Sequence, residues 1–144
     1  PFIPCPILAV TGTNGKTTTT ELLAAMLRGA GCQVLLAGNN ATPLSQAVLD
    51  GAHADFAVVE VSSYQLETAA TFRPRSAAVL NITPDHLARH GTVEGYAAAK
   101  ARIFANQEAG DTAVINDDDP LVRAMAADVR ARILPFSAVR PLGN

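Results

Sequence analysis

VTGTNGKTTTT, residues 10–20, is the stretch of sequence that decides the fold. It follows an apolar run, ILAV at residues 7–10, and leads into a helical pattern of leucines and alanines. Glycines allow the chain to turn tightly, so that successive backbone N–H groups can surround a phosphate. The positive end of the following helix dipole favours the same anion. The stretch therefore predicts a strand, a phosphate-binding loop and a helix in succession.

The spacing within this loop differs from that of the usual P-loop. The pattern GxxxxGK[ST] would require glycine at Val10, whereas the first glycine here is Gly12. Lys16 can reach the outer phosphates of a nucleotide, and the Thr17 hydroxyl can bind Mg²⁺. The alternative is a glycine-rich turn with a solvated lysine, which explains less because strand, loop and helix fall where a phosphate site needs them. The residues predicted to line this site are Gly12, Thr13, Asn14, Gly15, Lys16, Thr17 and Thr18.

Short apolar runs alternate with helical patterns along the rest of the chain. Strands are predicted at 7–10, 33–37, 56–61, 77–82, 112–116 and 133–136. Helices are predicted at 18–29, 44–49, from Thr83-Pro84 onward, at 92–107 (the longest) and at 120–129. Several strands are continuous apolar runs, as expected when both faces are covered. The order predicts an α/β fold: a doubly wound, mostly parallel sheet of about six strands with helices on both faces. Such sheets bind ligands at the carboxyl ends of their strands.

Length and charge restrict the class of protein. The chain has 144 residues and a net charge of −2, which predicts a single domain over 1–144 and gives no electrostatic basis for binding nucleic acid or an anionic membrane. No apolar run approaches the roughly 18 residues of a membrane span. Cys5 and Cys32 have no nearby partner of metal-ligand spacing, which favours reduced thiols and a cytoplasmic location. The abrupt ends, PFIPCPILAV and VRPLGN, suggest a domain of a longer chain.

Polar residues follow several of the predicted strands. Glu60 ends the apolar run FAVVEV, where a carboxylate is costly to bury unless it meets a cation. We predict that it binds Mg²⁺, directly or through water, opposite the phosphate loop; the alternative is a solvent-facing glutamate. Asn39 and Asn40 follow the second strand and are either turn formers or substrate ligands. Asp119, before a proline, is predicted to begin a helix.

Two histidines follow the fourth strand in the segment LNITPDHLARH. His86 and His90 are four residues apart and would share a helix face, but Leu87 stands where the HExxH zinc motif has glutamate. A two-histidine zinc site is therefore not predicted. We expect His86, in the first turn of a helix, to act as a single metal ligand or polar contact. His90 is expected at the surface or as a cap.

Lys100 lies within an apolar helical stripe in the segment VEGYAAAKARIF, residues 93–104. At 100° per residue its direction falls among Val93, Ala97 and Phe104. One interpretation is snorkelling, in which only the stem is buried. A central position makes that escape difficult, and a desolvated lysine has a lowered pKa and a larger neutral, nucleophilic fraction. Lys100 is therefore a candidate functional residue.

The segments TGTNGKTT, EVSS, NITPDHLARHG and YAAAKARIF, in this order, resemble the Mur ligase family of ATP-dependent amide ligases in bacterial cell-wall precursor synthesis. SSYQLE, after Glu60, and less closely AGNNATPL look most similar to the D-glutamate-adding members. The resemblance implies that ATP phosphorylates the carboxylate of UDP-N-acetylmuramoyl-L-alanine to an acyl phosphate, which the amine of D-glutamate attacks. It also implies that Asn39 and Ser62 contact the muramoyl substrate, although Asn40 and Ala41 depart from the family pattern.

The resemblance assigns the remaining roles by position. Lys16 would stabilise the transferring phosphoryl group, and Thr17 and Glu60 would hold one Mg²⁺. His86 would serve a second Mg²⁺, supported by a CO₂-derived carbamate on Lys100. The family also has uridine-binding and amino-acid-binding domains that flank this central ATP-binding one, so the domain alone is expected to be inactive.

Three alternatives remain open at this point. One is another Mur-type ligase or a folate-polyglutamating ligase, which shares the fold and the chemistry. The second is a small P-loop phosphotransferase or NTPase that acts alone. The third is an isolated nucleotide-binding fragment without turnover.

Overall fold

A single parallel sheet organises the protein. The computed structural model describes residues 3–51, 53–139 and 141, so the extreme ends of the predicted 1–144 domain lie outside the described residues. The strands are β1 (Ile7–Thr11), β2 (Val34–Gly38), β3 (Phe56–Glu60), β4 (Ser76–Val79), β5 (Thr112–Asn116) and β6 (Arg132–Phe136). Their order is β2-β3-β1-β4-β5-β6, and every neighbouring pair is parallel. The predicted fold class and sheet are confirmed.

The connections between strands are helical. The helices are α1 (Lys16–Gly29), α2 (Leu44–Leu49), α3 (Ser63–Thr68), α4 (Leu87–His90), α5 (Val93–Ala101) and α6 (Pro120–Ala124), with 3₁₀ turns at Arg102–Phe104 and Met125–Asp128. α1 has 14 residues and α5 has 9, so the prediction that 92–107 is the longest helix is wrong. After α5 the chain continues as a 3₁₀ turn that begins at Arg102, and the Arg102 Nε donates to the Leu66 carbonyl 2.8 Å away.

Two further helix predictions differ from the structure. The helix expected from Thr83-Pro84 begins only at Leu87, because the Thr83 backbone contacts the Thr13 hydroxyl in both directions. α3 was not predicted at all, although its start carries a capping box in which Ser62 and Gln65 satisfy each other's backbone N–H groups. The signal, S-x-x-Q after an apolar strand, is present in SSYQ.

The core lies mainly on one face of the sheet. Ala57 and Val59 of β3 point into the cluster formed with α3, α5 and α6, whereas the intervening Val58 faces the other side. α1 lies against β2 and β3 and buries Thr20 and Ala24. Other members of the main cluster include Leu66, Val79, Tyr96, Ile103, Ile115 and Val122. Within the described part of the chain, no helix has the length and apolar character that crossing a membrane requires.

Candidate nucleotide and metal site

The phosphate loop, residues 12–18, connects β1 to α1. Gly12 has φ 154° and Gly15 has φ 82°, conformations that side chains rarely adopt. A Cβ on Gly12 would lie 3.0 Å from the Cβ of Leu80, so the loop passes directly against the end of β4. Gly15 precedes the first residue of α1, Lys16, and no side chain caps this helix. The N–H groups of a helix's first turn lack partners within the helix and favour an anion.

Two lysines converge on one carbonyl of this loop. The Lys16 ammonium donates to the Gly12 and Thr13 carbonyls at 3.0 and 2.9 Å. The Lys100 ammonium donates to the same Gly12 carbonyl at 2.9 Å and to the Thr11 hydroxyl at 3.2 Å. The structure therefore brings together Lys16 and Lys100, which are 84 positions apart in the sequence by their numbers.

Lys100 is fully buried. It is 1% exposed, and its ammonium lies 4.7 Å from the centroid of the Tyr96 ring. Burial first, and then the charge of Lys16, lowers the pKa of Lys100 to about 8, while Asp85 and Glu60 act in the opposite direction. The predictions of burial and of a lowered pKa are confirmed, and snorkelling is wrong because the ammonium binds inside the protein.

Glu60 meets the phosphate loop across the sheet. β3 pairs with β1, Glu60 is 3% exposed, and its Oε2 accepts a hydrogen bond of 2.7 Å from the Thr17 hydroxyl. Asn39 donates to Oε1 at 3.1 Å, and Asn40 donates to the Thr17 hydroxyl at 3.2 Å. The solvent-facing interpretation of Glu60 is therefore wrong. Gly38, with φ 113°, allows the end of β2 to lie close to Glu60 at the end of β3, because a Cβ at Gly38 would collide with the Glu60 carbonyl.

His86 lies at the rim of this site. Its side chain is 47% exposed, and Nε2 is 3.5 Å from an Asp85 carboxylate oxygen. It precedes α4 instead of lying in a first helical turn, and with φ 51° it is the only described non-glycine residue of positive φ. Its ring contacts Tyr64 and Tyr96 at centroid distances of 5.2 and 6.1 Å. Tyr96 thus lies next to both His86 and Lys100.

His90 is not a surface residue, and the prediction that placed it there is wrong. Its side chain is 3% exposed. Nε2 lies 3.0 Å from the Ser63 hydroxyl, and Nδ1 lies 3.2 Å from Glu67. The ring also contacts Tyr64 and Tyr96, at 5.7 and 5.2 Å. A hydrogen bond with Ser63, the nearby Glu67 carboxylate and two aromatic neighbours make burial of this imidazole favourable.

Ser62 has a local structural role. Its hydroxyl accepts from the Gln65 N–H at 3.3 Å and lies 3.0 Å from Gln65 Oε1. These contacts cap the start of α3. Substrate contact by Ser62 or Asn39 stays a prediction. Asp119 begins α6 as predicted, accepting from the Leu121 and Val122 N–H groups.

Sequence reasoning missed Asn81. Its side-chain oxygen accepts from the Asn14 N–H at 2.8 Å, its amide donates to the Asn14 carbonyl at 3.1 Å, and its own carbonyl accepts from the Thr13 N–H at 3.0 Å. An asparagine after a strand is indistinguishable in sequence from a turn former. Tyr96, which lies in the same helical stretch as Lys100, was likewise not predicted to belong to the site. Burial raises the pKa of its phenol, and a hydrogen bond with Thr13 opposes that shift.

Comparison with known proteins decides the family. Residues 10–140 match the Mur ligase middle domain. The chain belongs to the Mur ligase family. The UDP-N-acetylmuramoylalanine–D-glutamate ligase of Pelotomaculum thermopropionicum is 55% identical over 141 residues, which are 98% of this chain and 31% of that protein. The enzyme of the same name from Thermoanaerobacter pseudethanolicus is 48% identical, covering 99% of this chain and 32% of that protein. The chain thus spans about a third of the length of these Mur ligases.

Solved Mur ligase structures agree. A UDP-N-acetylmuramoyl-L-alanyl-D-glutamate–2,6-diaminopimelate ligase superposes with a TM-score of 0.79 at 34% identity, over 97% of this chain and 33% of that one. The MurF ligase of Thermotoga maritima, solved with ADP, gives 0.80 at 26% identity, over 96% and 34%. Escherichia coli FolC, at 18% identity and a TM-score of 0.68, over 93% of this chain and 42% of that one, shows a shared fold alone.

Proposed function

We propose that this chain is the central ATP-binding domain, residues 1–144, of a ligase that adds D-glutamate to UDP-N-acetylmuramoyl-L-alanine in peptidoglycan precursor synthesis. The observation that carries the proposal is the 2.7 Å pair between Thr17 and Glu60, which places a hydroxyl and a carboxylate beside the phosphate loop. The flanking domains of the same parent chain would bind the uridine and amino-acid ends of the substrates. The reaction would take place in the cytoplasm, where ATP is available.

The oxygen atoms of Thr17 and Glu60 fit a magnesium ion that arrives with ATP. Mg²⁺ is commonly held by one or two protein oxygens together with phosphate oxygens and water. Thr17 and Glu60 supply such a pair, and the described residues contain no cluster of three or more His, Cys, Asp or Glu that would form a full protein cage. The ion would neutralise phosphate charge as the phosphoryl group moves. Asn39 donates a hydrogen bond to the Glu60 carboxylate and Asn40 donates one to the Thr17 hydroxyl, so both metal-binding oxygens are held in place.

The loop residues have separable tasks in this proposal. The N–H groups of the first turn of α1 and the glycines would bind the ATP phosphates. Lys16, which donates to the Gly12 and Thr13 carbonyls, would exchange them for phosphate oxygens and stabilise the transferring group. The residues assigned to ATP are Gly12, Thr13, Asn14, Gly15, Lys16, Thr17 and Thr18.

His86 and Lys100 would serve a second Mg²⁺. The neutral Lys100 amine would add to CO₂ with loss of one proton, so that a carbamate anion replaces the ammonium. The lowered pKa, about 8, supports this step because it enlarges the neutral fraction. Both residues adjoin Tyr96, which supports a shared role. The His86 imidazole is exposed enough to be reached from outside.

The domain would act by positioning and charge neutralisation, without a covalent bond to the substrate. ATP would phosphorylate the substrate carboxylate, the D-glutamate amine would attack the resulting acyl phosphate, and phosphate would leave. Asn39 and Ser62 would contact the muramoyl substrate. The preference for D-glutamate is supported by the names of the relatives that match nearly all of this chain.

A coupled assay of ADP release tests the proposal in the full-length protein. UDP-N-acetylmuramoyl-L-alanine is supplied with D-glutamate, L-glutamate, meso-diaminopimelate or L-lysine. We expect turnover with D-glutamate alone. A preference for any other amino acid contradicts the substrate assignment. ATP consumption without the muramoyl substrate indicates instead a phosphotransferase or NTPase that acts alone.

A further inference from the structure

The phosphate loop is braced from outside by a residue that the proposed chemistry does not use. The glycines of the loop are Gly12 and Gly15, three positions apart, whereas the usual P-loop pattern separates them by five. A shorter loop has fewer backbone groups with which to hold its own shape. Two of its N–H groups, those of Thr13 and Asn14, are bonded to Asn81 at 3.0 and 2.8 Å.

Asn81 uses three groups for this purpose. Its carbonyl accepts from Thr13, its side-chain oxygen accepts from Asn14, and its side-chain amide donates back to the Asn14 carbonyl at 3.1 Å. A side-chain amide carries an acceptor and a donor side by side, and here they meet the N–H and the carbonyl of the same residue, Asn14. The contacts join residues 67 positions apart, so they fix the loop to the sheet and not to itself.

The segment that carries Asn81 is itself held on both sides. The Leu80 N–H donates to the Thr11 carbonyl at 3.0 Å, and the Leu80 carbonyl accepts from Asn116 at 2.8 Å. The Ile82 N–H donates to Asp119 at 2.7 Å. Asn81 is therefore anchored to β1, to the last residue of β5 and to Asp119 before any nucleotide binds. Preorganisation of this kind lowers the ordering cost of binding.

We propose that Asn81 is a positioning residue for the nucleotide: it holds residues 13 and 14 so that the N–H groups of residues 15–18 stay free for the phosphates. This inference rests on the assignment of residues 12–18 as the nucleotide site, which is part of the proposed function. It assigns Asn81 no contact with the reacting atoms. Loss of its amide leaves the first turn of α1 intact but releases the outer half of the loop.

Calorimetric titration of the full-length protein with MgADP tests the inference. Asn81→Ala removes both side-chain contacts and is expected to weaken MgADP binding by about tenfold, given net hydrogen-bond energies in proteins. Asn81→Asp keeps the acceptor but sets a carboxylate against the Asn14 carbonyl and near the phosphates, and is expected to weaken binding by about a hundredfold. In the ADP-release assay, KM for ATP rises, while KM for UDP-N-acetylmuramoyl-L-alanine does not.

Asn106→Ala is the matched control. Asn106 also donates from its side chain to two backbone carbonyls, those of Ala70 and Phe72, each at 3.0 Å, far along the chain from the loop. Its substitution should leave MgADP affinity unchanged. The melting temperature of each variant separates lost affinity from lost folding.

The possible outcomes can be told apart. Weaker MgADP binding by both Asn81 variants, at an unchanged melting temperature, supports the inference. Unchanged binding by Asn81→Ala overturns it, as does a loss that Asn106→Ala shares or that only follows melting. Absence of MgADP binding by the unsubstituted protein overturns both this inference and the nucleotide site. Normal MgADP binding without ligase turnover counts against the proposed function and leaves the role of Asn81 in place.

Discussion

Buried charges lie at both ends of the parallel strands, here called the amino edge and the carboxyl edge of the sheet. The two sets of charges have different partners. At the amino ends of β4 and β5, Asp111 is 2% exposed and accepts from the guanidinium groups of Arg73 and Arg75 at 2.9 and 3.2 Å. At the carboxyl ends, Glu60 accepts from the neutral side chains of Thr17 and Asn39, and Lys100 donates to neutral oxygens. Neither forms an ion pair within the described residues.

We infer from this difference that the amino edge is structural and that the carboxyl edge is the functional one. A buried ion with a bound counter-ion is satisfied by the fold alone, and removing one partner destabilises the protein. A buried ion held only by neutral dipoles keeps part of its charge available to a ligand of opposite sign. Substitutions at the carboxyl edge should therefore change turnover, whereas those at the amino edge should change stability.

Substitution of Lys100 is the strongest test of the functional edge. If Lys100 carries the proposed carbamate, Lys100→Ala should lower turnover of the full-length ligase by about a thousandfold or more, because no amine remains to form it. Small carboxylic acids such as acetate should restore part of the activity by occupying the vacated volume. Arg102→Ala, which removes a cation bonded to the Leu66 carbonyl, is the control and should retain turnover. Turnover of the wild-type level in Lys100→Ala would remove this residue from the site.

Glu60→Gln should have the next largest effect. The amide keeps the size of the side chain but lacks the charge that favours a cation, so turnover should fall by about a hundredfold. The Mg²⁺ concentration needed for half-maximal rate should rise by about tenfold, since only one charged donor was present. ADP release measured against Mg²⁺ concentration checks both values. The exposed Glu94, as Glu94→Gln, is the control; an unchanged Mg²⁺ requirement in Glu60→Gln contradicts the metal role.

His90→Phe tests how far the functional edge extends. Phenylalanine keeps a ring between Tyr64 and Tyr96 but loses the contacts to Ser63 and Glu67, leaving both polar groups without this partner. We expect turnover to fall by about tenfold through displacement of the His86 segment, with a loss of about 1–3 kcal/mol in unfolding free energy. Ser63→Ala removes one of the two contacts and should give a smaller loss of both. Equal kinetics in His90→Phe and wild type would confine the site to residues nearer the loop.

Asp111→Asn should have the smallest effect on turnover and a clear one on stability. Burial by itself would raise the pKa of Asp111, but the Glu108 N–H and the guanidinium groups of Arg73 and Arg75 lower it below its ordinary value. The loss of charge should reduce the unfolding free energy at pH 7 by about 2 kcal/mol, as measured in urea. Turnover under conditions where the variant is folded should stay within about twofold of the wild-type value.

The pH dependence of this stability has a defined sign. Because the pKa of Asp111 is lower in the folded state, its contribution is present above the ordinary carboxylate pKa of about 4. It is lost as the pH falls through the lower folded value, since the unfolded state then binds the proton more readily. The difference between wild type and Asp111→Asn should therefore shrink in acid. A difference that grows in acid, or a loss of turnover at full stability, would contradict the division between the two edges.

The residues predicted correctly from sequence share a simple physical origin. Apolar runs predicted the strands, and the position of Glu60 at the end of such a run predicted that it would lie opposite the phosphate loop, where it meets Thr17. Helical periodicity predicted that Lys100 would be buried. Each of these depends on local pattern together with a general rule of sheet topology.

The errors concern contacts that no local pattern encodes. His90 is buried because Ser63 and Glu67, more than 20 positions earlier, provide polar partners for its two ring nitrogens. The expected helix at Thr83-Pro84 fails because Thr83 contacts Thr13 across 70 positions. Asn81 depends on a similarly distant partner. α3 is the exception, because its capping box is a local pattern, S-x-x-Q, that is present in SSYQ.

Gly38 has a consequence for the genetics of this protein. It provides no reactive group, yet its missing side chain is what allows β2 to reach the Glu60 carbonyl, and the Asn39 N–H then donates to that carbonyl at 2.9 Å. Any replacement separates two strands at the residue proposed to hold magnesium. An allele with an exchange at codon 38 should therefore behave like a loss of the carboxylate proposed to bind magnesium. A screen for inactive alleles should recover it among true active-site mutants, although its cause is crowding of the backbone.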